Sequence, residues 1–427
     1  MRNVKIINKL NEQNMINQQE KSIIRELAKQ VSELASNAVN VERIQRIRDM
    51  HSLKPVRPPV WIDEIPWHEM DIDGELLLRC QTKDGQEMER FFRRILYRWK
   101  YIQADMVVED TYYVTKAFSD TGFGISVKDE TVATNAANDI VSHAYEDQLD
   151  NEDKVEALKL PVIEALPCVD EKNMEIANDV LNGIMPVKLR GHMIYYAPWD
   201  LITRLRGVEN CYVDMLSNPG LIHKTIAKFV EIYNARFNQM QALGLLDYNI
   251  ASLHCTPPYT DDIPAKDYDG GKVRFKDVWF RGMAQAFSSA SPEMQDEFNL
   301  SYLRHMMDKC ALSYYGCCEP LDKFIPYLKK VPNMRKIGVS PWADIRSSAE
   351  QTGGAYVFAH KPNPANVARD FNKETIEKEA MTVIEACIEN KCPYEFVLKD
   401  ISTVNKNPEN LIKWTKTVTE IINRYYC

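Results

Sequence analysis

The strongest constraint on the fold of this chain lies between residues 312 and 368. Three β-prone runs begin there at Leu312, Met334 and Ala355, and helical patterns separate them. Strands that are joined by helical crossovers pair in parallel. Each run ends in polar residues, and a (β/α)8 barrel builds its active site from the carboxyl ends of its strands. The segment therefore predicts a parallel barrel with its site at these ends.

Composition and charge exclude several classes of protein. The 427 residues contain no apolar run long enough to span a membrane, and the N-terminus lacks the apolar core of a signal peptide. The net charge of -8 argues against a nucleic-acid partner. Ten cysteines stand mostly singly in apolar contexts, which is typical of reduced thiols. We expect a cytoplasmic α/β enzyme with neither a membrane nor a nucleic-acid partner.

The remaining chain extends the strand pattern in both directions. Further strands are predicted at Val60–Ile62, Asp105–Glu109, Pro186–Gly191, Tyr248–Cys255 and Tyr394–Ile401. Together with the three runs above they make eight strands. The predicted architecture is therefore a (β/α)8 TIM barrel over residues 55–427. Thr256 to Phe280, rich in proline and glycine, is predicted to be a loop long enough to act as a lid.

Residues 1–54 predict a helical extension that precedes the barrel. Their apolar positions recur at helical spacing, at Ile23, Ile24, Leu27, Val31 and Leu34. We expect a packing or dimerisation arm, which would allow a homodimer.

Polar residues at the predicted strand ends are the candidate site residues. In chain order they are Glu64, His68, Tyr196, His254, Cys317, Glu319, Asp344, His360, Lys361, Asn363 and Asp400. His254 and His360 each end a strand, where imidazole suits acid–base chemistry or metal binding. Lys361 could orient an anionic group of a substrate.

Several of these residues have an equally simple structural interpretation. Glu64 and His68 suit either a salt bridge at the mouth of the barrel or an acid–base pair. Asp344 and Asn363 suit a helix or turn cap as well as a substrate contact. Tyr196 suits the core or the wall of a pocket. Because adjacent residues of a strand point to opposite sides, one cysteine of Cys317-Cys318 would face the site unless the chain turns there.

Four motifs resemble landmarks of one known family. Ala197-Pro-Trp-Asp-Leu-Ile-Thr-Arg-Leu-Arg-Gly-Val-Glu-Asn210, with Met215-Leu-Ser-Asn-Pro219, is similar to the Gly-Pro-Trp-Thr-Leu segment of the uroporphyrinogen decarboxylase superfamily and to the helix that follows it. Further similarities are Ser291-Pro-Glu293, His360-Lys-Pro-Asn-Pro364 and Asn407-Pro-Glu-Asn410. The resemblance covers roughly residues 55 to 427 and implies the same barrel fold, although a fold does not fix a function.

The two branches of that family imply different chemistry. True decarboxylases place arginines just after the first strand, where this chain has Ile62-Asp-Glu-Ile-Pro-Trp-His-Glu-Met70. Because Glu64 would repel a polycarboxylate, we expect no turnover of uroporphyrinogen. The other branch resembles methyltransferases that use a corrinoid protein and carry zinc on a His-x-Cys and a further cysteine. Here Tyr315-Gly-Cys317 stands at the first motif and Asp400 lies near the second position, so the resemblance leaves Cys317 as the expected metal ligand.

The resemblance implies methyl transfer between a small molecule and a corrinoid carried by a separate protein, with zinc as a possible cofactor. His254, Glu319, His360 and Asp400 would then be catalytic. Two alternatives stay open at this point. One is a cofactor-free decarboxylase or lyase that acts on a small carboxylic acid, with Lys361 as its anchor. The other is a barrel that binds a ligand without catalysis.

Overall fold

The centre of the molecule is a sheet of seven parallel strands. The computed structural model describes residues 16–102, 104–132, 142–369 and 371–426. The strands of the sheet are β1 (Val60–Ile62), β8 (Ile194–Tyr196), β9 (Trp279–Gly282), β10 (Leu312–Tyr315), β11 (Met334–Val339), β12 (Val357–His360) and β13 (Tyr394–Leu398). Their spatial order is β1-β13-β12-β11-β10-β9-β8, and every neighbouring pair is parallel. Because all seven strands run in the same direction, their carboxyl ends meet at one rim.

Small sheets and helices surround this sheet. Three two-stranded sheets pair β2 (Tyr112–Thr115) with β7 (Val187–Arg190), β3 (Phe118–Asp120) with β6 (Ile163–Ala165), and β4 (Asp129–Val132) with β5 (Ser142–Tyr145). The first eight helices are α1 (Gln18–Ala35), α2 (Ala38–His51), α3 (Lys83–Tyr101), α4 (Glu152–Glu156), α5 (Pro167–Leu181), α6 (Pro198–Arg206), α7 (Val208–Ser217) and α8 (Pro219–Ala242). The later ones are α9 (Pro292–Gln295), α10 (Ser301–Met307), α11 (Ile325–Leu328), α12 (Ile345–Thr352), α13 (Ala365–Ala368), α14 (Lys373–Glu389) and α15 (Glu409–Tyr426).

Local sequence explains where the helices begin. Ser291 caps α9 by accepting a hydrogen bond from the Met294 amide, with Pro292 at the first helical position. Asn372 caps α14 in the same way through the Thr375 amide. Among the described residues, no helix is both long and apolar enough to cross a membrane.

Alternation along the strands separates a helix-facing side from an inner side. Phe358 and Phe396 pack among the helices α14 and α15. Their neighbours Ala359 and Glu395 face inward, where Ala359 contacts Tyr314 and other inner residues. The period of two fixes these directions, so each strand contributes alternate residues to the interior.

Three predicted strands differ from the structure. Residues 105–109 are not a strand: the Asp105 amide donates to Val60 O beside β1, and its carboxylate accepts the Val60 amide, which competes with a regular ladder. β7 forms where predicted but pairs with β2 outside the main sheet. Residues 248–255 are irregular, because His254 and Cys255 have left-handed φ values of 45° and 71° that a strand cannot contain.

Two other segments, β8 and β9, form strands of the main sheet in their place. β8 begins just after the predicted third strand, and β9 lies at the end of the segment that was predicted to be a loop. Across the described residues the sheet keeps free edges at β1 and β8, so it is an open, seven-stranded version of the predicted eight-stranded barrel. The five predicted strands β1 and β10–β13 are confirmed.

The N-terminal extension packs against the amino-terminal end of the sheet. Residues 1–15 of the predicted extension lie outside the described residues. In α2, Ile47 and Met50 are buried against Val357 at the start of β12. The His51 ring lies 5.2 Å from the ring of Trp279, centroid to centroid. Helix α2 therefore covers this end of the sheet, opposite the rim with the strand carboxyl ends.

Candidate functional site

The carboxyl ends of β10 and β13 bring two cysteines, a lysine and an aspartate together. Cys318 Sγ donates to Asp400 Oδ2 over 2.7 Å and lies 3.6 Å from Cys317 Sγ. Lys399 Nζ is 3.0 Å from both Cys317 Sγ and Asp400 Oδ1. One ligand atom from each of Cys317, Cys318 and Asp400 lies within 4.8 Å of the others. The rim thus carries a compact group of two sulfurs and one carboxylate.

A glycine turn places both cysteine sulfurs on the same side. Gly316 follows β10 with φ of 101°, a conformation that glycine adopts without strain. A Cβ on neighbouring Gly338 would lie 2.8 Å from Gly316 O, so the two backbones approach more closely than side chains allow. The strand therefore ends just before Gly316, and Cys317 and Cys318 do not alternate as they would in an extended run.

Glu319 stabilises the turn that carries the two cysteines by hydrogen bonds to backbone amides. Its side chain is buried, and its carboxylate accepts the Cys317 amide at 2.9 Å and the Ala284 amide at 3.3 Å. Burial first, and then the charge of Cys317, raise the pKa of Glu319. The structure thus gives this predicted catalytic residue two backbone contacts beneath the cysteines.

A second group of possible ligands adjoins the first. Glu64 accepts the Asp400 amide at 2.8 Å and the Cys255 thiol at 3.3 Å. Ligand atoms of Glu64, His254 and Cys255 also lie within 4.8 Å of one another. The Lys399 ammonium is 3.7 Å from Glu64 and joins the two groups.

Four non-glycine residues of these groups have left-handed backbones. The φ values are 51° at Glu64, 45° at His254, 71° at Cys255 and 56° at Asp400. Such conformations cost on the order of 1–3 kcal/mol each and persist where the surroundings impose them. Their concentration around one point indicates that the fold holds these side chains in place for a function.

Positive charge surrounds Cys317. The interaction with the Cys318 thiol is the largest cause, followed by His254, Arg281 and Lys399, of a pKa of Cys317 that lies well below its ordinary value despite burial. Arg281 is fully buried and donates to the carbonyl oxygens of Gly282 and Gly316. Since no carboxylate among the described residues bonds to that guanidinium, its charge favours the thiolate form of Cys317.

A cavity of about 960 Å³ opens beside the cysteines. Its walls include Tyr195, Asp200, Arg204, Cys318 and Trp342. The volume suits a small molecule. Since Cys318 lines the cavity, a ligand there lies next to the sulfur and carboxylate group.

Asp200 is a site residue that was absent from the prediction. It lies in the first turn of α6, and Tyr195 donates to its Oδ2 at 3.4 Å while its Oδ1 has no partner among the described residues. Burial first, and then the nearby Cys317, raise the pKa of Asp200 to about 6. Asp200 lies in a helix, five residues after the inward-facing Tyr195, so no strand-end signal pointed to it. Lys399 directly precedes Asp400 at a predicted strand end, and that position was an available signal.

We expect Asp200→Asn to stabilise the protein above pH 6. A carboxyl group with a raised folded-state pKa favours folding only while it is protonated, so its contribution is lost as pH rises from about 4 to about 6. The variant should therefore gain up to about 3 kcal/mol in free energy of unfolding at pH 7.5 and less than about 1 kcal/mol at pH 4. Denaturant titrations at both values measure this. A variant less stable than the wild type at pH 7.5 would contradict it.

Other predicted site residues lie away from the cavity. His360 points to the helix side of β12, where its ring packs against Phe396 and its Nε2 is 3.5 Å from Glu379. Tyr196 also faces the helices, and its hydroxyl donates to Asn234 and Val230 O of α8. In both cases the strand period of two turns the predicted residue outward and its neighbour inward. These two positions correct the sequence-based expectation.

Four further predicted site residues form contacts within the protein instead of lining the cavity. Asp344 caps α12 through the Ser347 amide, and Asn363 accepts the Ala365 amide within its own turn. His68 lies 3.6 Å from Glu69 and does not pair with Glu64. Lys361 faces inward, but it is fully buried and donates to the Tyr314 hydroxyl at 2.5 Å.

Comparisons with known proteins do not assign a function to this chain. No family model matches the chain, and no curated protein matches it. Among solved structures, a methyltransferase from Methanosarcina mazei is similar at 11% identity and a TM-score of 0.47, with 90% of this chain and 99% of that chain covered.

Proposed function

We propose that the protein is a methyltransferase that moves a methyl group between a small molecule in the cavity and a corrinoid carried by a partner protein. The observation that carries this proposal is the group of Cys317, Cys318 and Asp400 at the edge of the cavity. Soft sulfur ligands beside an open pocket suit a metal-assisted transfer to or from a heteroatom. Such a partner and this enzyme would meet in the cytoplasm.

The residues at the rim fit a zinc ion. Two thiolates and one carboxylate are common zinc ligands, and a catalytic zinc keeps a further position open. The three groups lie close enough together for one ion, and a protonated Cys318 would have to give up its proton. When bound, zinc would act as a Lewis acid toward a heteroatom that has a free lone pair, such as that of a methyl acceptor or of an alcohol or thioether donor.

The surrounding residues would hold the site ready for this chemistry. Lys399 and Arg281 favour the thiolate form of Cys317, and Glu319 fixes the turn that carries it. Tyr195 and Asp200 line the cavity and can position the substrate. Trp342 is 68% exposed at the same cavity and offers an apolar surface to an incoming partner.

Absorbance spectroscopy of reduced cobalamin tests the proposal. Zinc-loaded protein is mixed with cob(I)alamin and a panel of methylated amines, alcohols and thioethers, and conversion to methylcobalamin is followed. We expect conversion with at least one member of the panel, and none when protein is omitted. Unchanged cob(I)alamin across the panel, together with no demethylation of added methylcobalamin by the corresponding acceptors, would contradict the proposal.

The decarboxylase alternative loses support from the position of Lys361. Its ammonium is buried beneath the rim against Tyr314 and does not line the cavity. A carboxylate in the cavity would therefore not reach its proposed anchor. A barrel that only binds a ligand would leave the cobalamin spectra unchanged, so the same experiment separates it.

A further inference from the structure

Two oppositely charged side chains face the cavity from one helix. Asp200 and Arg204 stand four residues apart on α6, which places them on the same face of the helix, and both line the cavity. Neither forms an ion pair with another described residue: Asp200 accepts from the Tyr195 hydroxyl, and its second oxygen has no partner. A pair of this kind leaves one negative and one positive group for a ligand.

The two charges lie at different depths. Asp200 is mostly covered, whereas Arg204 is exposed. Cys318 lines the same cavity and connects it with Cys317 and Asp400. The cationic end of a ligand would therefore lie deep beside the sulfurs, and its anionic end would point toward solvent.

Aromatic residues complete the deep end and the mouth. Tyr195 lines the wall beside Asp200, and Trp342 lines the exposed part of the cavity. Aromatic faces attract alkylated ammonium groups, so Tyr195 offers a favourable contact at the deep end of the cavity. An ammonium group that carries methyl groups has the right charge and the right surface for this environment.

We propose that the cavity binds a zwitterionic N-methylated amino acid, with its methylammonium group at Asp200 and its carboxylate at Arg204. This inference deepens the proposed function and rests on it for the fate of the methyl group. It specifies the substrate class: the bound methyl group is carried by nitrogen, and the molecule carries both charges. Binding itself requires neither metal nor corrinoid.

Calorimetric titration with three matched probes tests the inference. N,N,N-trimethylglycine carries both charges, sodium 3,3-dimethylbutanoate has the same shape without the positive charge, and tetramethylammonium chloride has only the positive charge. We expect wild-type protein at pH 7.5 to bind the zwitterion at least tenfold more tightly than either other probe. Equal affinities for the zwitterion and either single-charge probe, or no binding of the zwitterion, would overturn the inference.

Variants assign each charge to its residue. Asp200→Asn should abolish the preference over 3,3-dimethylbutanoate, and Arg204→Gln should abolish the preference over tetramethylammonium. Lys266→Gln, an exposed residue outside the cavity, is the matched control and should keep both preferences. Thermal unfolding of each variant confirms that it is folded. If either cavity variant keeps both preferences, the assignment of that charge is wrong and the inference is overturned.

The results of the binding experiment and of the cobalamin experiment distinguish a failure of this inference from a failure of the proposed function. Selective binding of the zwitterion with no methyl transfer in any cobalamin assay contradicts the proposed function alone. Methyl transfer from donors that lack one of the charges, without selective binding of the zwitterion, contradicts this inference alone.

Discussion

Replacing Cys317 with serine should remove bound zinc and lower methyl transfer by more than about a hundredfold. Cys317 combines the lowered pKa of a metal-binding thiolate with a place in the group of possible ligands. Loss of a residue that only supports a zinc ligand typically costs about 10–100-fold in metal affinity or activity, so loss of a ligand should cost more. Zinc content after dialysis and the rate of cobalamin methylation measure the two effects.

Cys168→Ser is the matched control for that experiment. Cys168 is an exposed free cysteine outside the cavity, so its replacement should change neither zinc content nor rate. Equal, near-stoichiometric zinc in wild type and Cys317→Ser would exclude Cys317 as a ligand. No zinc in either protein would remove the metal from the mechanism and leave an unliganded thiolate.

Replacing Lys336 with methionine should destabilise the protein by about 3–5 kcal/mol, because it leaves a buried carboxylate without its counter-ion. Lys336 Nζ lies 2.8 Å from Glu395 Oε1, both side chains are completely buried, and Thr256 bonds to both. Burial lowers the pKa of Lys336 to about 8 despite the attraction of Glu395. Urea denaturation at pH 7 measures the change.

The exposed pair Lys416–Glu420 supplies the control for this comparison. Its side chains remain largely in water, so Lys416→Met should change stability by less than about 1 kcal/mol. The double variant Lys336→Met/Glu395→Leu should recover most of the loss, because it removes both buried charges. If Lys336→Met proves as stable as Lys416→Met, the buried pair Lys336–Glu395 does not stabilise the fold.

The second half of the fold could be predicted from the sequence, and part of the first half could not. Strands β10 to β13 are separated by regular helical patterns, and each was found at its predicted place. β9 was missed because it follows a proline- and glycine-rich stretch, and its four residues alone do not distinguish a strand from a loop. The segment 248–255 has strand-like composition, but its left-handed residues are set by contacts with distant parts of the chain.

The directions of the site side chains were harder to predict from the sequence than the positions of the strands. A strand end can be located from the sequence to within a residue, yet one residue decides whether a side chain faces the rim or the helices. Tyr196 was chosen although its neighbour Tyr195 is the residue that faces inward. Of the two adjacent predicted residues His360 and Lys361, only Lys361 faces inward. Asp200 and Arg204 gave no strand-end signal, because they reach the cavity from a helix.

The cover that α2 forms over the amino-terminal end of the sheet has a kinetic consequence. With His51 packed against Trp279 there, the cavity opens at the opposite rim, beside Trp342. In the proposed reaction the small molecule and the partner's corrinoid would share that opening. The sequence of events would then be compulsory: the small molecule enters first, the partner protein closes the mouth, and the demethylated product waits for the partner to leave.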